Sequence, residues 1–149
     1  MLIPNYNNLI DEKKNNFKQI YYYVPNKSFR RLICGSSGSG KTNALVHMLL
    51  KPLIYYDKVY LYAKNIDQEK YQLLSNELNK VTIDKIYEYS NDEIKDVDEL
   101  ENKLQKVVIF DDYICDKNRD QIIKYFIQGR HKIVVLLILV SRMIKLIRI

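Results

Sequence analysis

Gly35-Ser36-Ser37-Gly38-Ser39-Gly40-Lys41-Thr42 constrains this chain more than any other stretch. It satisfies the pattern G-x-x-x-x-G-K-[S/T] in full. An apolar segment, Phe29 to Cys34, precedes it and a helical pattern, Gly40 to Leu50, follows it. Glycines let such a loop wrap so closely that successive backbone N–H groups point at phosphate oxygens. A helix opening where the loop ends adds the positive end of its dipole. On this reading the eight residues cradle a nucleotide's phosphates, Lys41 reaches the β- and γ-phosphates, and Thr42 offers its hydroxyl to Mg²⁺. The chain has only four glycines, and Gly35, Gly38 and Gly40 are three of them. The bland alternative is a flexible Gly/Ser turn with an incidental lysine.

A second segment looks like the complement of the first. Val107 to Phe110 is a run of apolar residues ending in Asp111-Asp112, as a buried parallel strand would. An acid at the end of such a strand can hold Mg²⁺ through water, and a second acid beside it can polarise an attacking water. We assign Asp111 to the metal and Asp112 to the water. By itself an apolar run closed by Asp also marks an ordinary strand end before a turn. Glu is commoner than Asp in the water-polarising place.

Between and around these segments, strand-like and helix-like patterns alternate. Strands are expected over Phe29 to Cys34, Lys58 to Ala63, Lys85 to Tyr89, Val107 to Phe110 and Ile133 to Val140. Helices are expected over Gly40 to Leu50, Asp67 to Lys80, Asn91 to Lys106 (capped by Asn91) and Asp116 to Gln128, the last stopped by Gly129. The alternation predicts an α/β fold with a parallel sheet flanked by helices. Residues 1–27 are polar and form a lead-in, with a Tyr21-Tyr22-Tyr23 cluster, and residues 28–149 form the domain that carries the phosphate loop. Cys34 is expected to be a small buried strand residue. Arg30 and Arg31 are expected on a solvated edge, and His47 and His131 have no telling partner. Arg130, after Gly129, suits either a neighbouring subunit's γ-phosphate, or DNA, or a cation on a helix C-terminus.

Composition bounds the remaining choices. The 149 residues fit one domain. The net charge of +6 suggests an anionic partner, nucleic acid first. Yet Lys132, Arg142, Lys145 and Arg148 fall in the last 18 residues, which hold no acid, so residues 1–131 carry only +2. Cys34 and Cys115 make neither a disulfide framework nor a metal spacing. The first residues lack the basic and apolar regions of a secretory signal, so a non-secreted protein is expected. The longest apolar run, Ile133 to Val140, is eight residues, short of the ~20 that span a bilayer, and no membrane partner is expected.

The phosphate loop, the strand closed by Asp111-Asp112, and Phe126-Ile127-Gln128-Gly129-Arg130-His131 together resemble the FtsK/HerA superfamily of DNA-pumping ATPases. The likeness is to the genome-packaging ATPases of large DNA viruses, the poxvirus type, in which a Phe-x-x-Gly-Arg-His run recurs. It covers residues 28–131. The resemblance implies a P-loop fold of the additional-strand type, ATP with Mg²⁺, and translocation of double-stranded DNA into a capsid. It also implies a homo-oligomeric ring, capsid or portal-region partners, and a place in the cytoplasm, viral factory or virion of an infected cell.

The end of the chain departs from that pattern. The family's strand after the Arg-His run closes in Ser/Thr-Gln and further strands follow, whereas here Ile133 to Val140 closes in Ser141-Arg142. The expectation is therefore an incomplete domain. Residues 132–149 form an atypical tail, compatible with a frame shift after Lys132, and the aliphatic strand has one edge exposed. A truncated nucleotide-binding remnant without turnover is the alternative to a working motor. A small kinase is a third reading, and the lack of arginine between Thr42 and Asp111, where a substrate-closing lid would carry it, counts against it.

Overall fold

The computed structural model describes residues 28–51, 53–54, 56–81, 87–89, 94–113 and 118–141. The lead-in with Tyr21 to Tyr23, the Asn91 cap, Cys115 and residues 142–149 lie outside the described residues. Among the described residues five strands and three helices follow one another: β1 (Arg30–Cys34), α1 (Lys41–Leu50), β2 (Lys58–Ala63), α2 (Glu69–Val81), β3 (Tyr87–Tyr89), β4 (Lys106–Asp111), α3 (Arg119–Gln128) and β5 (Val134–Val140). All pairings are parallel, in the order β1-β5-β4-β2-β3. One strand, β5, thus stands between the strand that feeds the Gly35–Thr42 loop and the strand that ends in Asp111. This is the additional-strand arrangement of a P-loop NTPase.

The sheet is covered on both faces, which explains why its central strands are apolar throughout rather than alternating. Val59, Leu61, Ala63, Val107, Ile109, Val135, Leu137 and Leu139 join Leu45, Leu49, Tyr71, Leu74 and Leu78 of α1 and α2 in one core cluster. Tyr60, Tyr62, Val108, Phe110, Leu136 and Ile138 join Ile122 and Tyr125 of α3 in the other. Tyr62 and Phe110 stack at 5.2 Å between centroids, and Tyr125 meets Phe110 edge-on at 5.7 Å.

Three expectations need correction. Residues 94–105 are not helical beyond a single 3₁₀ turn, Val97–Glu99, whose Asp96 side chain accepts from the Asp98 N–H. Ile94, Val97 and Leu100 are buried as the pattern required, so the spacing reported burial and not helix. The strand Ile133 to Val140 has no open edge: β5 pairs with β1 on one side and β4 on the other. The edge lies at β1, where Leu32 is 51% exposed. Cys34 is exposed as well, because β1 is an edge strand. Helix α3 ends at Gln128 with Gly129 as its C-cap, as read from the sequence, though at φ −54°, and a short 3₁₀ turn, Gly129–Lys132, continues the chain. The left-handed turn into β5 falls on Ile133 instead, at φ 54°, where a β-branched residue is strained by about 1–2 kcal/mol.

Two details hold the N-terminal end of the sheet. Lys106 is fully buried, and its Nζ donates to the carbonyls of Glu101, Leu104 and Lys132. Burial, before any neighbouring charge, pushes its amine below the usual lysine range. Arg30 donates to the last carbonyls of α3, those of Phe126 and Ile127, and lies over the Phe126 ring. Phe126 and Ile127 themselves are exposed and, with Leu32, border an apolar cleft of about 590 Å³.

Candidate active site

The chain leaves β1 for the face covered by α1 and leaves β4 for the face covered by α3. In an open parallel sheet such a divergence opens a crevice at the C-terminal strand ends. The registers Cys34 with Val140, and Asp111 with Leu139, bring the ends of β1, β5 and β4 level. Gly35 and Asp111 consequently flank β5, about 10 Å apart at two strand spacings. That gap suits a phosphate chain and a cation.

The loop is wrapped as its glycines allow. Gly38 and Gly40 have φ of 78° and 89°, the left-handed region that L side chains avoid. A Cβ at Gly35 would stand 2.5 Å from Ser39 Oγ, so that position needs glycine for space and not for φ. The Gly35 N–H donates to the Val140 carbonyl at 3.2 Å, and Ser39 N–H to the Ser36 carbonyl at 3.2 Å. Gly40 opens α1 without a side-chain cap, and no acid sits in the first turn. The first N–H groups and the dipole of α1 therefore face the loop uncompensated. Lys41 is nearly buried, and its Nζ donates to the carbonyls of Gly35 and Ser36 at 2.9 and 3.0 Å. The ammonium is thus held inside the loop's curve. Ser36 and Ser37 are exposed on its outer side.

Asp111 faces this loop from the end of β4 and is 8% exposed. Its carboxyl accepts from the Tyr71 hydroxyl of α2, and the Thr42 side chain lies near the same phenol. Burial, with the neighbouring charge of Asp112, raises the proton affinity of Asp111 above the usual carboxylate range. The Tyr71 bond and Lys41 oppose that rise. Thr42 and Asp111 thus both stand near one phenol. Two hard oxygen donors so placed fit Mg²⁺, which takes one or two protein oxygens and completes its shell with phosphate and water. Among the described residues no group of three His, Cys, Asp or Glu side chains forms a protein-only metal cage.

Asp112 is placed differently. It is exposed and takes a left-handed φ of 49°. Its N–H donates to the Leu139 carbonyl at 3.0 Å. Its carboxylate accepts from Ser141, at Oδ1 from the backbone N–H at 2.7 Å and at Oδ2 from the hydroxyl. The second acid is thereby held against the end of β5.

Gly35 to Thr42, Asp111 and Asp112 come together at one end of the sheet. Arg130 does not join them. It precedes β5, and six residue rises along that strand put it about 20 Å away, at the opposite end. The sequence reading missed two residues: Tyr71, within the helix expected over Asp67 to Lys80, and Ser141, read only as a strand end. Each carried a signal. A tyrosine on the inward stripe of a helix must find a partner for its hydroxyl, and a serine closing an apolar run stands level with the acid that closes the neighbouring strand.

The family model described as Poxvirus A32 protein matches residues 15–147. The chain belongs to the poxvirus A32 protein family. That is the poxvirus genome-packaging ATPase family, and it is the kind to which the loop, the acid pair and the Gly-Arg-His run already pointed. The A32 match runs on past residue 132 through β5, the segment that departs from the expected Ser/Thr-Gln ending. No curated protein and no solved structure matches the chain.

Proposed function

We propose that this chain binds ATP with Mg²⁺ in the crevice between the Gly35–Thr42 loop and Asp111. In this reading it hydrolyses ATP as the motor domain of a viral DNA-packaging ATPase. The observation that carries the reading is the wrapped loop with Lys41 inside it, facing a buried Asp111, in a chain of the A32 family. The loop's N–H groups and the first turn of α1 hold the phosphates. Lys41 exchanges its two loop carbonyls for β- and γ-phosphate oxygens, and Thr42 and Asp111 hold the cation. Mg²⁺, when bound, neutralises the charge that develops on the phosphates. Asp112 polarises the attacking water from the edge of the site. Arg130 reaches a γ-phosphate only across a subunit boundary, which fits the ring assembly that goes with DNA translocation and capsid partners.

A second reading, a nucleotide-binding remnant, is favoured by one observation: both oxygens of Asp112 are already taken by Ser141. ATP binding and DNA-stimulated hydrolysis, measured on this chain and on Lys41→Ala, separate the two. Turnover lost in Lys41→Ala supports the motor, whereas binding without turnover in the parent chain supports the remnant.

A further inference from the structure

Tyr71 belongs to α2, outside both motifs. Its ring is 1% exposed, in the core cluster with Leu45, Ala63 and Leu74. Its hydroxyl emerges at the cation site, where it is bonded to Asp111 Oδ2 close to Thr42. The direction of this bond follows from proton counting. A carboxylate only accepts, so the single phenol proton goes to Asp111. Asp111, with Oδ2 engaged, presents Oδ1 to a cation or its water.

We infer that Tyr71 is a positioning residue for the cation site, fixing through its bond to Asp111 which lone pairs that ligand presents. The inference rests on the Mg²⁺-nucleotide reading above. It assigns Tyr71 the part that outer-shell hydrogen bonds play in metal sites, where their loss typically costs about 10–100-fold in metal affinity. The ring is locked by packing, so the hydroxyl is pre-set before any ligand arrives. The ordinary alternative is a buried tyrosine that merely satisfies its hydroxyl.

The test measures how much saturating Mg²⁺ tightens ATP binding relative to EDTA, by calorimetry. It compares the parent chain, Tyr71→Phe and Tyr56→Phe, a second tyrosine whose hydroxyl donates to a backbone carbonyl, that of Leu49. The expected result is that Tyr71→Phe reduces the tightening about tenfold, keeps its EDTA affinity within about twofold, and differs in this from Tyr56→Phe. The inference is overturned if Tyr71→Phe keeps the parent's tightening. It is equally overturned if Tyr71→Phe loses affinity alike with and without Mg²⁺, or if Mg²⁺ changes nothing in a parent chain that binds ATP. A parent chain that binds no ATP in either condition overturns the nucleotide reading itself, and the inference with it.

Discussion

Gly35→Ala tests the loop where space, not φ, demands glycine. The new methyl would stand 2.5 Å from Ser39 Oγ and 3.2 Å from Ser39 Cβ. The hydroxyl can turn away about χ1, but the Cβ must give by a few tenths of an ångström. Ser39 also donates its N–H to Ser36, so the displacement opens the cradle. An overpacked contact of this kind costs about 1–3 kcal/mol, and 1.4 kcal/mol is tenfold in an equilibrium constant. ATP affinity measured by calorimetry should therefore fall about tenfold in Gly35→Ala. Ser39→Gly removes both colliding atoms, so the double variant should return to within about threefold of Ser39→Gly alone. Gly38→Ala is the contrast. Its Cβ meets nothing within 4 Å, and its cost lies in the φ of 78°, about 1–2 kcal/mol that Ser39→Gly leaves untouched. A Gly35→Ala variant that binds ATP as the parent does, or that Ser39→Gly fails to rescue, refutes this account of the loop.

Three further outcomes are expected. Ser141→Ala removes one of the two bonds on Asp112 and should lower kcat several-fold with ATP affinity unchanged; a rise in kcat would show that Ser141 blocks Asp112 rather than orienting it. Asp111→Asn should raise thermal stability at neutral pH by about 1 kcal/mol while abolishing the effect of Mg²⁺ on binding. The sign follows from Asp111's raised proton affinity: its contribution is full below its unfolded pKa and is lost as pH rises through the folded one, so the gain in thermal scans should shrink on acidification. Lys106→Met leaves the carbonyls of Glu101, Leu104 and Lys132 without their shared donor and should cost about 3 kcal/mol in urea unfolding; no loss of stability would contradict the role given to that lysine.

Most of the fold is readable in the sequence because its elements announce themselves by local patterns. Val107 to Phe110 and Ile133 to Val140 are uniformly apolar, and only a strand covered on both faces needs that. The span from Asn91 to Lys106 misleads because apolar residues three and four apart also arise in an irregular segment lying against a sheet. Here Ile94, Val97 and Leu100 all reach the core without a helix. The loop and the acid pair are local motifs, so their positions follow from the chain itself. Tyr71 and Ser141 join the site only through tertiary contacts, across 40 residues to Asp111 and 29 to Asp112, and no spacing rule reaches that far. The edge strand was misplaced for the same reason: strand order is a property of the whole sheet.

The central claim is that Lys41 and its loop hold a nucleotide's phosphates. Its most direct test is the equilibrium affinity for ATP of this chain and of Lys41→Ala, both with Mg²⁺. The account predicts saturable binding by the parent chain and at least a tenfold loss in the variant, because a charge-assisted contact to phosphate is worth about 1.5–3 kcal/mol. Equal binding by the two would contradict it.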